Sequence, residues 1–167
     1  MSLLNDPSMK EVVDEFCDES AKLFDELEEI LEEFEDDPSQ TEKLEQFGQI
    51  IDRVMGSAKT IGADEIATFC ELGKVIGYKS SQVTDEALLE VVCAIMFDSL
   101  ELLKKMIKQI KEGNTSSLEQ TSSKAFITRL KWLKEKFSDI ERSSCAADPD
   151  GNLSQTSIDD LMSSLGL

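Results

Sequence analysis

Apolar residues recur at helical spacing through most of the chain. Val12, Val13, Phe16, Cys17, Phe24, Leu27, Ile30, Leu31 and Phe34 mark a long first helix, and its other face is packed with Asp and Glu. Asp36-Asp37-Pro38-Ser39-Gln40 breaks that helix, and Ser39 or Thr41 is placed to cap the next. Leu44, Phe47, Ile51, Val54, Ala58 and Ile61 define the buried face of a second helix that ends near Gly62. A shorter third helix is predicted from about Asp64 to Ile76, stopping at Gly77, and a long fourth from about Asp85 to Lys111. A fifth spans about Leu118 to Ile140, anchored by Phe126, Leu130, Trp132, Leu133 and Phe137. No stretch alternates as a strand does, and no internal repeat is visible. The fold class is therefore all-α, a five-helix, up-down four-helix-bundle-type domain over 1–140. Residues 141–155 are loop chemistry, Arg-Ser-Ser-Cys-Ala-Ala-Asp-Pro-Asp-Gly-Asn-Leu-Ser among them, and read as a flexible linker. Residues 156–167 follow as a short amphipathic helix.

Composition narrows the function classes. A net charge of −18 without a basic cluster argues against nucleic acid and anionic membrane surfaces. No apolar run reaches the roughly 18–20 residues that span a bilayer, and no signal peptide is recognisable, so a cytoplasmic protein is expected. Cys17, Cys70 and Cys93 fall on apolar helix positions and read as small core residues; with Cys145 they form no CxxC spacing. The chain has no histidine. That removes Ser-His-Asp and Cys-His catalysis, histidine-ligated metals and histidine phosphotransfer together. Asp148-x-Asp150-x-Asn152 mimics the start of a calcium loop, but Gly151 stands two places ahead of the turn glycine's position, so no metal is expected.

The second helix carries Asp52-Arg53-Val54-Met55-Gly56-Ser57-Ala58-Lys59-Thr60-Ile61-Gly62-Ala63. This stretch is similar to the HxLKGSAxxLGA signature of histidine phosphotransfer domains, and the helix layout most resembles the phosphotransfer domain of the chemotaxis kinase CheA. The resemblance implies that Gly56 keeps the helix surface low so that a response regulator can approach. Asp52 stands at the family's phospho-accepting histidine and Met55 at its lysine, both taken as solvent-facing departures. It therefore implies a pseudo-phosphotransfer domain, a docking shape without the carrier chemistry. The alternative is that Gly-Ser-Ala is a small-residue patch for close helix packing.

Hydrolysis of a regulator's phospho-aspartate needs an oriented water and charge stabilisation rather than a nucleophile. The chemotaxis phosphatase CheZ family supplies these from an acidic residue and a glutamine one turn later (DxxxQ) on a helix. The one literal match here, Asp36 to Gln40, contains Pro38 and is expected in a loop. On the second helix Glu45, Gln49 and Asp52 share a face. They are the candidate catalytic residues, with Gln49 orienting water and Glu45 or Asp52 engaging the regulator's lysine. Gly56, Arg53 and Lys59 are the candidate docking residues. The plain alternative is a solvated polar face.

In the last segment Ile158, Leu161, Met162 and Leu165 fall at i, i+3, i+4 and i+7, on one helical face. A helix this short is marginal alone and is expected to fold against a partner's groove or its own domain. Leu153-Ser154-Gln155-x-x-Ile158-Asp159-x-Leu161-Met162 resembles a segment of the flagellar switch protein FliM. Asp159-Asp160-Leu161-Met162-Ser-Ser164-Leu165-Gly166-Leu167 resembles the closing segment of the CheZ family. Both resemblances imply binding to a CheY-like response regulator, with any Mg2+ belonging to that partner and no cofactor in this chain. A linker of about 15 residues has a root-mean-square reach of roughly 20–23 Å, so tail and bundle could hold one partner together. The combined expectation is a regulator-binding protein in chemotaxis signalling. It is either a CheZ-like phosphatase or a non-catalytic adaptor or sink; a bundle that docks a kinase or receptor complex is the third option. Whether the bundle forms a homodimer stays open.

Overall fold

The structure is a computed structural model that describes residues 3–118, 124, 127, 128, 130–135 and 137. Two 3-10 turns, Leu3–Asn5 and Pro7–Met9, lead into α1 (Lys10–Asp36), α2 (Glu42–Ile61), α3 (Asp64–Ser80) and α4 (Glu86–Lys111). A further turn, Thr115–Ser117, precedes a fifth helix, α5, to which the described helical positions from 118 to 137 belong. No strand occurs among the described residues, so the all-α expectation holds. The linker 141–155 and the amphipathic segment with Ile158, Asp159, Asp160, Leu161, Met162 and Leu165 lie outside them, as does the calcium-like stretch.

The apolar stripes meet in one bundle. α1 packs on α2 and α4, while α3 closes the ring between α2 and α4. The pairing is antiparallel. Along α1, Leu31 faces Cys93 and Cys17 faces Ile107, so α4 numbers rise as α1 numbers fall. Lys104 with Glu28, at 2.7 Å, and Lys111 with Asp18 pin the same two helices at the surface. Phe24, Phe47 and Phe69 are fully buried together with Leu27, Ile51 and Ile66. Each such side chain contributes roughly 1.5–3 kcal/mol through removal from water. From α5, Leu130, Leu133 and Phe137 enter the same core, and Trp132 packs on its edge. Burial pushes the Cys70 thiol up to about 12 and the Cys17 and Cys93 thiols up to about 11, as expected of core thiols.

Several boundaries follow the predicted chemistry. Gly62 takes a left-handed φ of 74° and ends α2. Asp85 caps α4 by accepting from the Leu88 amide at 3.1 Å. Others differ. Neither the Ser39 nor the Thr41 side chain caps α2; the Asp37 carboxylate organises the turn instead, accepting from the Ser39 backbone amide and hydroxyl and from the Gln40 side-chain Nε2. Those bonds hold its carboxyl below the usual range. The Asp36–Gln40 match thus runs from the last residue of α1 into the turn, and its glutamine lies outside any helix. Val12 is exposed at the outer edge of α1.

The largest difference concerns Gly77, which does not stop α3. The helix runs on to Ser80 because this glycine is a packing residue: a Cβ there would lie 2.8 Å from the Leu44 carbonyl oxygen of α2. Gly48 faces α3 from α2, where a Cβ would just touch the Lys74 carbonyl at 3.4 Å. Helix propensity alone would make Gly77→Ala stabilising by about 0.5–1 kcal/mol. Contact with backbone that cannot rotate away outweighs this gain. Urea unfolding followed by circular dichroism should show Gly77→Ala less stable by about 1–3 kcal/mol. An equal or higher stability would mean that α2 and α3 are not in such close contact.

Candidate functional site

The glycine-lined contact fixes one long seam between α2 and α3, and the candidate residues lie on the exposed face of α2 beside it. At 100° per residue, Glu45, Gln49, Asp52 and Gly56 fall within about 60° of one another around α2. Glu45, Gln49 and Gly56 are exposed and Asp52 is half-exposed. The structure therefore brings these four together in one stripe. Arg53 is turned to the flank away from α3, and Lys59 stands on the α3 side; both are exposed.

Asp52 is not a free carboxylate. Lys74 of α3 donates to its Oδ1 at 2.7 Å across the seam, and the two side chains are 43% and 45% exposed. Neither Glu45 nor Gln49 makes a side-chain hydrogen bond among the described residues, which leaves the Gln49 amide available to a partner or to water. Met55 corrects the reading of this helix. It is half-buried and packs against the edge of the core, so it does not stand out from the stripe as a solvent-facing side chain would.

Gly56 differs from the other glycines of α2 and α3. It is exposed, and a Cβ built on it would meet nothing within 4 Å. Packing within the chain does not account for it. Of the neighbouring small residues, Ala58 alone is fully buried. The small-residue patch therefore divides: Ala58 serves the core, while Gly56 lowers an open surface.

Charge is distributed unevenly around the bundle. α1 carries thirteen acidic and two basic side chains, whereas α2 carries three of each. An acidic protein would be repelled from the α1 flank and meet no net charge on α2. Lys74 and Tyr78, the latter 57% exposed on α3 one turn beyond Lys74, complete the seam and were missed in the sequence. Their one signal was register, since Lys74 and Tyr78 each follow directly on a glycine of the Gly73–Gly77 pair. Among the described residues no cluster of three Cys, Asp or Glu side chains is arranged to hold a metal, and no helix is long and apolar enough to cross a membrane.

Gly56→Ala tests the open position. It is expected to raise stability by about 0.5–1 kcal/mol, opposite in sign to Gly77→Ala, because it gains helix propensity and touches nothing. A loss of stability on thermal unfolding would show a hidden contact at that site.

Comparison with known proteins completes the site. The family model described as Hpt domain matches residues 11–113, the span of α1 to α4. No curated protein and no solved structure gives a significant match.

Proposed function

Because this chain belongs to the Hpt domain family, we propose that it is a pseudo-phosphotransfer module of two-component signalling, which docks a receiver domain without carrying phosphate. Hpt domains work by presenting one exposed helix face to the receiver of a response regulator. The observation that carries the reading is Gly56, an exposed helical glycine with open space above it, one turn from Asp52. A surface kept low at this point admits a close-fitting partner. The chain has no histidine to receive a phosphoryl group, and the carboxylate at the centre of the stripe is paired with Lys74. A mixed anhydride formed on Asp52 would be another acyl phosphate, with no advantage as a carrier. Docking without transfer is what remains.

The proposed partner is a CheY-like response regulator of chemotaxis. The amphipathic segment with Ile158, Asp159, Asp160, Leu161, Met162 and Leu165 supplies the second contact through its resemblance to regulator-binding peptides. Two linked contacts on one partner raise the local concentration of the second to about millimolar. The role is then an adaptor or sink that competes for the regulator. Mg2+ would sit in the regulator's site.

A second reading, a CheZ-like phosphatase, is favoured by one feature. The Gln49 amide is exposed, without a partner among the described residues, one turn from Asp52 and from Glu45. Such an amide can orient a water toward an aspartyl phosphate. In that reading Gln49 is the water-positioning residue, with Glu45 or Asp52 engaging the regulator's lysine.

One experiment separates the two. The full chain is mixed with a phosphorylated CheY-type receiver, and complex formation and phosphate release are followed together. The adaptor reading expects a one-to-one complex, no phosphate on this chain and release at the receiver's own rate. Gly56→Trp should weaken the complex about tenfold or more by raising the surface at its centre. Release that accelerates with catalytic amounts of chain and is lost in Gln49→Ala would establish the phosphatase instead. Absence of any complex would end both readings.

A further inference from the structure

We infer that Lys74 is the specificity-determining residue of the α2–α3 seam, and that the group it recognises is a cluster of carboxylates on the docked partner. The inference rests on the receiver-docking reading above and names the chemistry of that contact. A receiver presents its acceptor aspartate among further acidic side chains, which also hold its Mg2+.

The geometry gives Lys74 a role that stability does not require. Its Nζ lies 2.7 Å from Asp52 Oδ1, with both side chains nearly half exposed. Surface ion pairs of this kind contribute about 0–1 kcal/mol, so the bundle does not depend on it. Yet the origin of the side chain is closely set. The Lys74 carbonyl is seated over Gly48, and Gly77, three residues on, is pressed against the Leu44 carbonyl. The ammonium therefore starts from a rigid part of α3 and is held over the seam by Asp52.

Reach and charge decide which member of the pair meets a partner. Asp52 has one methylene and Lys74 four, so on leaving the pair the ammonium can reach farther toward a partner than the carboxylate can. An ammonium has three N–H donors, and the bond to Asp52 uses one. The remaining two suit a second acceptor. Acidic partners are repelled by the thirteen carboxylates of α1 and meet an exposed cation in the seam at Lys74, with Lys59 on the same side of α2. Tyr78, one turn along α3, offers an exposed ring that can shield the new pair from water. Asp52 is then a positioning residue, which aims Lys74 before contact and shares it afterwards.

Competition with Mg2+ follows from the same chemistry, since a metal ion and an ammonium seek the same carboxylates. Calorimetric titration of the full chain with an unphosphorylated CheY-type receiver, in EDTA and in saturating Mg2+, reads this directly. Wild type should bind several-fold more weakly with Mg2+ present. Lys74→Met should bind about tenfold more weakly than wild type in EDTA and respond little to Mg2+. Lys74→Arg should keep most of the affinity and the Mg2+ response, and both variants should melt as wild type does. If Lys74→Met binds like wild type with an unchanged Mg2+ response while Gly56→Trp abolishes binding, the inference is overturned and the docking reading stands. If wild type itself does not bind, both fall together.

Discussion

Close approach of two helix backbones sets the geometry on which the rest of this molecule depends. Gly77 on α3 meets the Leu44 carbonyl on α2 so closely that even a methyl group would collide, and Gly48 lies opposite, beside the Lys74 carbonyl. With ordinary side chains at both places α3 would ride farther out, because helices separated by larger residues pack at greater interaxial distance. Lys74 would then lose its bond to Asp52. The seam between the two helices, and the polar groups along its outer side, are thus consequences of glycine placement. The core below contributes most of the stability, and the seam determines what faces outward.

The glycines of α2 and α3 consequently divide by function. Gly48, Gly73 and Gly77 are buried and face the other helix of the pair, and at Gly77 the close contact leaves no room for a Cβ. Gly56 is exposed, and a Cβ on it would meet nothing within 4 Å among the described residues. A glycine inside a helix weakens it relative to alanine by about 0.5–1 kcal/mol, and at Gly56 no internal contact offsets that cost. Membership of the Hpt family is consistent with the proposal that the open position serves a docked partner. The uneven charge adds direction, leaving α2 neutral beside a strongly acidic α1.

How much of this could be read from the residues varied with the kind of signal. Helical periodicity located α1, α2 and α4 well, because long amphipathic stripes such as Leu44 to Ile61 admit one burial pattern. The shared face of Glu45, Gln49 and Asp52 was equally legible, since it follows from helical geometry alone, while Gly56 was singled out by the motif it belongs to. Gly77 was misread as a terminator because glycine is ambiguous in one dimension: a left-handed end such as Gly62 and a packing contact look alike until the neighbouring helix is present. Ser39 and Thr41 looked like caps, yet Asp37 captured the turn's donors first. Met55 was read as facing outward from its motif position, although its side chain joins the core edge. Lys74 was out of reach for a simpler reason. Its partner lies 22 residues earlier on another helix, and no local pattern encodes such a pair.

Mapping the partner's footprint on this chain tests the docking surface most directly. Backbone amide resonances of the isotope-labelled full chain would be followed while an unlabelled receiver domain is added. A receiver seated on the seam should perturb residues around Glu45, Gln49, Asp52, Gly56, Lys74 and Tyr78 and leave the outer face of α1 from Glu11 to Glu33 unmoved. Perturbations gathered on α1, with the seam unchanged at saturation, would contradict it.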